Sequence, residues 1–425
     1  MIDTRHLIRY GGEFVDDVIE RAQGSWLTSV DGRRILDFTS GQMCATLGHS
    51  HPDVVDALSA AARDVIHLFS GMLAPAVLEL ARELAAALPG SLDKVLLVNT
   101  GSESNEAALR LAKLHTGGFE VLAMSGSWHG MTSGASSSTY SAGRRGYGPG
   151  LPGTMALPTP NCYRCPIAHC RDRCDLTCLE VGMSLADSQS VGGYAATIVE
   201  PVLSAGGIVP LPPGYLARLA QMCHDRGMLL IVDEAQTALG RTGEMFASEA
   251  MGVVPDVLTL SKTLGGGVPL AATATRADIE QDCHDKGFLY FTSHVSDPLP
   301  AAVGIAVLHA VATQRLAEQA RLLGDRLHDG LAALAQRHEA IGDVRGMGLL
   351  LGVDLVQDRD TRAPDERLGV AVTQRCLELG LNVNIVKFRG MGSVLRLAPP
   401  LTSSPSEIDL GLDILDRALT DAAAV

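Results

Sequence analysis

Three short apolar runs in this chain end on residues that could do chemistry together. After LLVN stand Thr100, Gly101 and Ser102, after LLIV stands Asp233, and after DVLTLS stands Lys262, followed by Gly265-Gly266-Gly267. Hydroxyls at a helix start, where N–H groups lack partners and the dipole is positive, suit an anion such as a phosphate. Taken singly, Ser102 or Ser104 is a helix cap, Asp233 is another, and Lys262 is a surface charge. Taken together, they offer a phosphate cradle, a buried carboxylate and an amine. An amine condenses with an aldehyde to a Schiff base. A carboxylate keeps a pyridinium nitrogen protonated, so that the ring accepts electrons. That set matches pyridoxal 5′-phosphate. Trp128-His129, after the turn at Ser127, adds a planar side chain able to stack on such a ring; alone it is a partly buried aromatic pair.

The elements that must position these residues alternate. KVLLV, FEVLAM, YAATIV, MLLIVD and DVLTL are strand-length apolar runs, separated by helical stretches such as ESNEAALRLAKL and PPGYLARLAQMCHD. Strands alternating with helices, and apolar on both faces, predict a doubly wound, mainly parallel α/β sheet. Ligands bind at the carboxyl ends of such strands. The first ~40 residues predict a short helical piece and then a hairpin on Asp31-Gly32. Residues 52–66 and 76–88 predict helices. From about residue 300 a long helical stretch, broken near Thr313 or Gly324, leads into an α+β tail. The expected division is 1–50 as a segment joining the small domain, 51–305 as the large domain with a Cys-rich loop at 161–178, and 306–425 as the small domain.

With 425 residues and 46% apolar content the chain can bury a sizeable core. Its formal charge of −14 and 4% aromatic content argue against a nucleic-acid partner. No run of ~18 apolar residues predicts a membrane span, and the charged start does not read as a secretory signal. A cytoplasmic location is expected.

IVDEAQTALGRTG followed by PDVLTLSKTLGGGVPLAA resembles the class III (subgroup II) aminotransferases, pyridoxal-phosphate enzymes of fold type I, the aspartate aminotransferase-like fold. The likeness runs over essentially the whole chain. Within that family, SGQMCATLGHSHP, SGSWHGMTSGASSSTYSAGRRG, FTSHVSDPLPAAVG and NIVKFRGMGSVLRLAPPLT are similar above all to the dialkylglycine decarboxylase group.

The resemblance implies roles. Lys262 carries the cofactor and shuttles a proton, and Asp233 holds the pyridine nitrogen. Trp128 stacks on the ring, and Gln236 bonds its phenolic oxygen. Thr100, Gly101 and Ser102 hold the phosphate, with Ser293 reaching in from a partner subunit. His129, Glu200 and Ala235 complete the cofactor site. Gln42 contacts a leaving carboxylate and Arg396 a retained one, with Met131 and Asn384 also against the substrate. An alkali ion, potassium or sodium, is implied at Leu68, Ser70, Ser293, Val295 and Asp297, and a second at Ala85, Leu88, Pro89 and Leu92. The implied reaction is decarboxylation of an α,α-dialkyl amino acid to a ketone, then amino transfer to pyruvate or a similar keto acid. The alternative is a plain aminotransferase acting on an amine or ω-amino acid. Partners are small amino and keto acids, and the site is shared across a homodimer or homotetramer.

Three features depart from that pattern. Ala205 stands where the family has a serine beside the retained carboxylate, with Ser204 expected to be a poorly aimed substitute. Lys387 and Arg389 add cations near Arg396, either as solvated surface or as an attraction for an acidic side chain. The run Cys162-x2-Cys165-x4-Cys170-x3-Cys174-x3-Cys178 holds five of the nine cysteines. Its spacing fits no standard zinc finger, and disulfides or free thiols in a surface loop are expected there instead of zinc.

Overall fold

The computed structural model describes residues 3–11, 14–142, 144–171, 173–388 and 392–423. A seven-stranded sheet organises the chain, in spatial order Lys94–Val98, Ala271–Thr275, Val257–Leu260, Leu229–Asp233, Tyr194–Val199, Glu120–Met124 and Thr154–Leu157. Only Ala271–Thr275 runs antiparallel to its neighbours, so the sheet is mainly parallel. Strand pleating explains the apolar runs. Leu122, Met124, Val199, Leu230 and Val232 pack one face against the helices Thr177–Gln189 and Tyr215–His224. Val121, Ala123, Ile198, Leu229 and Ile231 pack the other face against Ala108, Leu111 and Ala112 of the helix Gly101–Thr116. Both faces are covered, as parallel sheets require.

A second sheet is antiparallel and built from Ile341–Met347, Leu350–Asp358, Gly392–Leu397 and Asn384–Phe388. The N-terminal hairpin joins its neighbourhood. Leu36 and Asp37 pair in parallel with Leu381 and Asn382, and Leu36 and Phe38 share a core with Leu395, Leu397 and the helix Leu316–Arg337.

Two expectations are corrected. Residues 3–11 and 14–18 contain no helix; Ile8 and Tyr10 are exposed there, so no apolar face docks to reward helix formation. The long C-terminal helical stretch breaks at Gln314-Arg315, where Arg315 takes a left-handed φ of 52°, and not at Gly324. Gly324 lies inside the helix because a Cβ there would meet the Gly348 carbonyl oxygen at 2.4 Å. Among the described residues no single helix is long and apolar enough to cross a membrane.

Candidate active site

Four parallel-strand ends converge on one cleft of about 340 Å³. The strand Lys94–Val98 delivers Thr100, Gly101 and Ser102 at a helix start. Thr100 and Glu103 cap each other reciprocally: the Glu103 N–H donates to Thr100 Oγ1 at 3.3 Å, and the Thr100 N–H donates to Glu103 Oε2 at 2.8 Å. The N–H groups of Gly101 and Ser102 have no partner among the described residues, so the first turn presents free donors. Gly130 closes over them with a φ of +130°, and a Cβ on it would stand 2.2 Å from Ser102 Oγ. Those free donors, under a glycine that leaves room for close approach, fit a phosphate.

Asp233 ends the strand Leu229–Asp233 and is buried. Its Oδ2 accepts from Asn105 Nδ2 at 2.7 Å and from His129 Nδ1 at 2.8 Å, and its Oδ1 accepts from the Ala235 N–H at 3.0 Å. Burial alone would raise its pKa. The hydrogen bond and charge of His129, with Lys262 and Asn105, more than offset this, and the carboxyl lies below its ordinary value. It is therefore held ionised, as a partner for a ring N–H must be.

Lys262 follows the strand Val257–Leu260 at a left-handed φ of 47°, an uncommon conformation for a non-glycine residue. Its ammonium makes no hydrogen bond or ion pair among the described residues, and burial lowers its pKa against the pull of Asp233, Cys44 and Glu200. An amine kept from water in this way is neutral for more of the time, and so more available as a nucleophile and proton acceptor. Trp128 lines the same wall and is half-buried, with its backbone N–H donating to Glu200 Oε1 at 2.9 Å.

Arg396 sits on Gly392–Leu397 and is 8% exposed. Its Nη1 donates to Ser204 Oγ at 3.3 Å and to Gln236 Oε1 at 3.5 Å, and it forms no ion pair among the described residues. Burial pushes the guanidinium down to about 10, with Glu200 opposing. Ser204, not Ala205, therefore faces Arg396. The short hairpin Val202–Leu203 with Val209–Pro210 turns it inward, correcting the expectation of a poorly aimed hydroxyl. Asn384 is the cross-strand neighbour of Arg396.

Glu200 is buried, and that burial pushes it up to about 7 from an ordinary 4.5. A carboxyl raised on folding contributes stability that is full below about 4.5 and lost as pH rises through about 7. Glu200→Gln is thus expected to flatten the fall in melting temperature across that window. Parallel slopes for the two proteins in pH-dependent thermal unfolding would refute this origin.

Other expected residues stand apart from the cleft lining. Gln42 is exposed, Met131 is exposed with its N–H donating to Ser102 Oγ at 3.0 Å, and Ser293 is exposed. Asp297 is engaged by His67 Nδ1 and His294 Nδ1, each at 2.6 Å. Val295 is buried beside it, while Leu68 and Ser70 are half-buried. Ala85, Leu88, Pro89 and Leu92 lie at and beyond the end of the helix Pro75–Ala87. Arg389 and the Lys387 side chain lie outside the described residues. Of the expected disulfides or free thiols, the cysteines are free thiols, with no disulfide among the described residues; the expected surface location is corrected, since Cys165, Cys170 and Cys178 are buried. Asn105 was not foreseen. It bridges Asp233, the His129 carbonyl and Thr259, and its signal was a polar residue on the buried face of an amphipathic helix. Cys44 was also missed as a lining residue.

The family model for class III aminotransferases matches residues 11–419. An uncharacterised aminotransferase of Schizosaccharomyces pombe is 49% identical over 99% of this chain and 94% of its own. The 4-aminobutyrate aminotransferase of Escherichia coli is 34% identical over 95% of this chain and 93% of its own. Among solved structures, an (S)-enantioselective omega-transaminase from Thermomicrobium roseum has a TM-score of 0.90 at 29% identity, covering 99% of this chain and 97% of that one. The phosphate-sized cradle, the ionised Asp233 and the buried Lys262 amine thus belong to a chain that is a member of the class III aminotransferases, pyridoxal-phosphate-dependent enzymes of fold type I.

Proposed function

We propose that this chain moves an amino group from an amine or ω-amino acid onto a keto acid, without decarboxylation. The observation that carries this reading is Arg396, a buried guanidinium with no ion-pair partner among the described residues, flanked by Ser204 and Gln236. A substrate carboxylate supplies the missing charge and can take both sides of the fork. Glu200, close enough to raise the Arg396 pKa, lowers the cost of leaving the guanidinium without a carboxylate when a plain amine is bound. The names of the E. coli and T. roseum relatives point the same way.

Bound pyridoxal phosphate supplies an aldehyde that takes up the amine and a ring that accepts its electrons. The chain's residues do the rest. The first turn at Gly101 and Ser102 would anchor the phosphate, Trp128 would face the ring, and Asp233 would hold the ring nitrogen protonated. Lys262 Nζ, neutral for a larger share of the time than an exposed lysine, takes a proton from the donor carbon and returns it on the other side of the transfer. Arg396 orients the keto acid so that transfer follows a fixed geometry.

Arg396→Ala should raise KM for the keto acid and cut its kcat/KM by roughly 30-fold or more, the scale of losing a buried charge partner worth about 2 kcal/mol. The half-reaction with a plain amine should change far less. Equal losses in both halves, measured by stopped-flow absorbance, would remove Arg396 from carboxylate recognition.

A second reading rests on a different observation. Ser40, Gly41 and Met43 take φ values of 47°, 62° and 61° around Gln42, and this strained turn is tied to the residue after Lys262 by Thr46 Oγ1 and Thr263 Oγ1, 2.9 Å apart. Asp37 holds the turn through the Thr39 and Gly41 N–H groups, at 3.0 and 2.7 Å. Strain kept beside a reactive lysine favours a functional turn. On this reading Gln42 selects a carboxylate for loss, and the donor is an α,α-dialkyl amino acid. 2-Aminoisobutyrate with pyruvate separates the two: acetone and CO2 release supports the second reading, and their absence alongside turnover of an ω-amino acid leaves the first.

A further inference from the structure

Arg345, Gly352 and Arg396 stand in one row across the small antiparallel sheet. Arg345 is paired with Gly352, and Gly352 is paired with Arg396. Directly paired residues on antiparallel strands point to one face. The two guanidiniums therefore flank a gap where Gly352 has no side chain. Ile208 fills it: a Cβ on Gly352 would stand 2.7 Å from the Ile208 Cβ. Ile208 is fully buried, in one apolar cluster with Val202, Leu350 and Val394. The hairpin that carries Ser204 is thus seated on this row.

The turn of that hairpin is strained. Gly207 has a φ of 102°, and Ile208 takes a left-handed φ of 52°, which is unfavourable for a β-branched residue. Such a conformation persists only where the surroundings fix it. Inside the turn, the Gly207 and Ile208 N–H groups both donate to the Ser204 carbonyl at 3.2 Å. From outside, Arg345 takes the turn's own carbonyls. Its Nη2 and Nε donate to the Gly207 carbonyl at 2.6 and 3.0 Å, and Nε also donates to the Ile208 carbonyl at 3.0 Å. Arg345 is aimed in turn by two carboxylates, with Nη1 donating to Asp343 Oδ2 at 2.7 Å and to Asp354 Oδ2 at 3.0 Å. Asp354 is fully buried, and Arg164 from the Cys-rich loop meets its other oxygen, with Nη2 to Oδ1 at 2.8 Å. A rigid, planar guanidinium serves all these acceptors at once, which an ammonium on a flexible stem does not.

What the turn delivers is Ser204, itself fully buried. Its backbone N–H donates to Glu200 Oε2 at 3.3 Å, and its Oγ accepts from Arg396 Nη1 at 3.3 Å. A hydroxyl that accepts from Arg396 keeps its own proton to donate to a carboxylate oxygen. The two groups serve one carboxylate only while the turn holds its course.

We propose that Arg345 is a positioning residue for carboxylate recognition: by gripping the Gly207 and Ile208 carbonyls it fixes Ser204 against Arg396, so that hydroxyl and guanidinium meet the keto acid's carboxylate together. This rests on the reading that Arg396 binds that carboxylate. Arg345 does not line the cleft, and it acts through the turn alone.

The test is steady-state kinetics of the holoenzyme with pyruvate as the keto acid, beside stopped-flow absorbance of the amine half-reaction. Arg345→Met keeps an unbranched stem and removes the hydrogen bonds. It should raise KM for pyruvate roughly tenfold and leave kcat within about twofold, the pattern of lost binding as opposed to lost chemistry. The amine half-reaction should stay within about twofold of wild type. Arg345→Lys keeps the cation beside Asp343 and Asp354 but not the fork, and should raise KM roughly threefold. In a Ser204→Ala background, Arg345→Met should add less than about twofold, because both changes act on one contact. Where Arg345→Met does not fold, as judged by melting and cofactor absorbance, Arg345→Lys decides alone. An unchanged KM for pyruvate in the folded variants, equal losses in both half-reactions, or full additivity with Ser204→Ala would each overturn the proposal. Arg396→Ala, run alongside, separates the two levels. If it leaves KM for pyruvate unmoved, the reading of Arg396 itself falls; if it raises KM and the Arg345 variants do not, only the positioning role falls.

Discussion

Replacing Lys262 by alanine is expected to cut amino transfer by roughly 10⁴-fold or more, the scale seen when an enzyme loses its nucleophile. Lys262 is the one amine among the residues lining the cleft. Burial depresses its pKa, and it stands at a left-handed φ of 47° two residues past the end of the strand Val257–Leu260. The side chain lines the cleft, and no other amine among the described residues does. The cofactor should still bind to the alanine variant through the helix start at Gly101 and Ser102, because the phosphate donors are independent of the lysine. Borohydride should fix the cofactor covalently to the wild type and not to the variant, as read by intact-protein mass. A variant that keeps more than a hundredth of wild-type turnover would show that another group moves the proton.

The second large effect belongs to Asp233. Asp233→Asn keeps the size and most contacts of the side chain but removes its charge. Three donors converge on it, from Asn105, His129 and the Ala235 N–H, and they are arranged for a carboxylate. An amide in their midst turns at least one donor against another. A ring nitrogen at this strand end would lose its proton, and with it the pull on the electrons of the reacting carbon. The expected loss in the single-turnover rate is roughly 10³-fold, comparable to removing a preorganised electrostatic partner in a buried site. Cofactor affinity should fall much less, since the phosphate end is untouched. A rate loss under tenfold, measured by stopped-flow absorbance with cofactor saturating, would show that the carboxylate only supports the fold.

These two residues were visible in the sequence for a simple reason. Each follows an apolar run of strand length, and a parallel sheet gathers such positions at one edge. The same logic exposed Thr100, Gly101, Ser102 and Trp128, whereas Glu200 came only from the family resemblance. Asn105 escaped it because it lies one helical turn inside the helix Gly101–Thr116, where spacing reports only that the face is buried. Cys44 escaped because its loop reaches the cleft through a run of positive φ values that no periodicity announces. The helix break illustrates the same limit. Gly324 read as a breaker, yet it is a contact residue against the Gly348 backbone, and the chain turns at Arg315 instead.

Local pattern thus determined the alternation of strands and helices, the sheet class and the set of residues at the strand ends, because each depends on neighbours close in the chain. Tertiary structure alone decided which of them share a wall. It chose Ser204 over Ala205 for Arg396, it left Gln42 outside the cleft lining, and it set Asp297 between two histidines. Those outcomes depend on how a loop is turned by partners from distant segments, such as Asp354 acting on Arg164 from 190 residues away. Spacing along a chain carries no record of such forces.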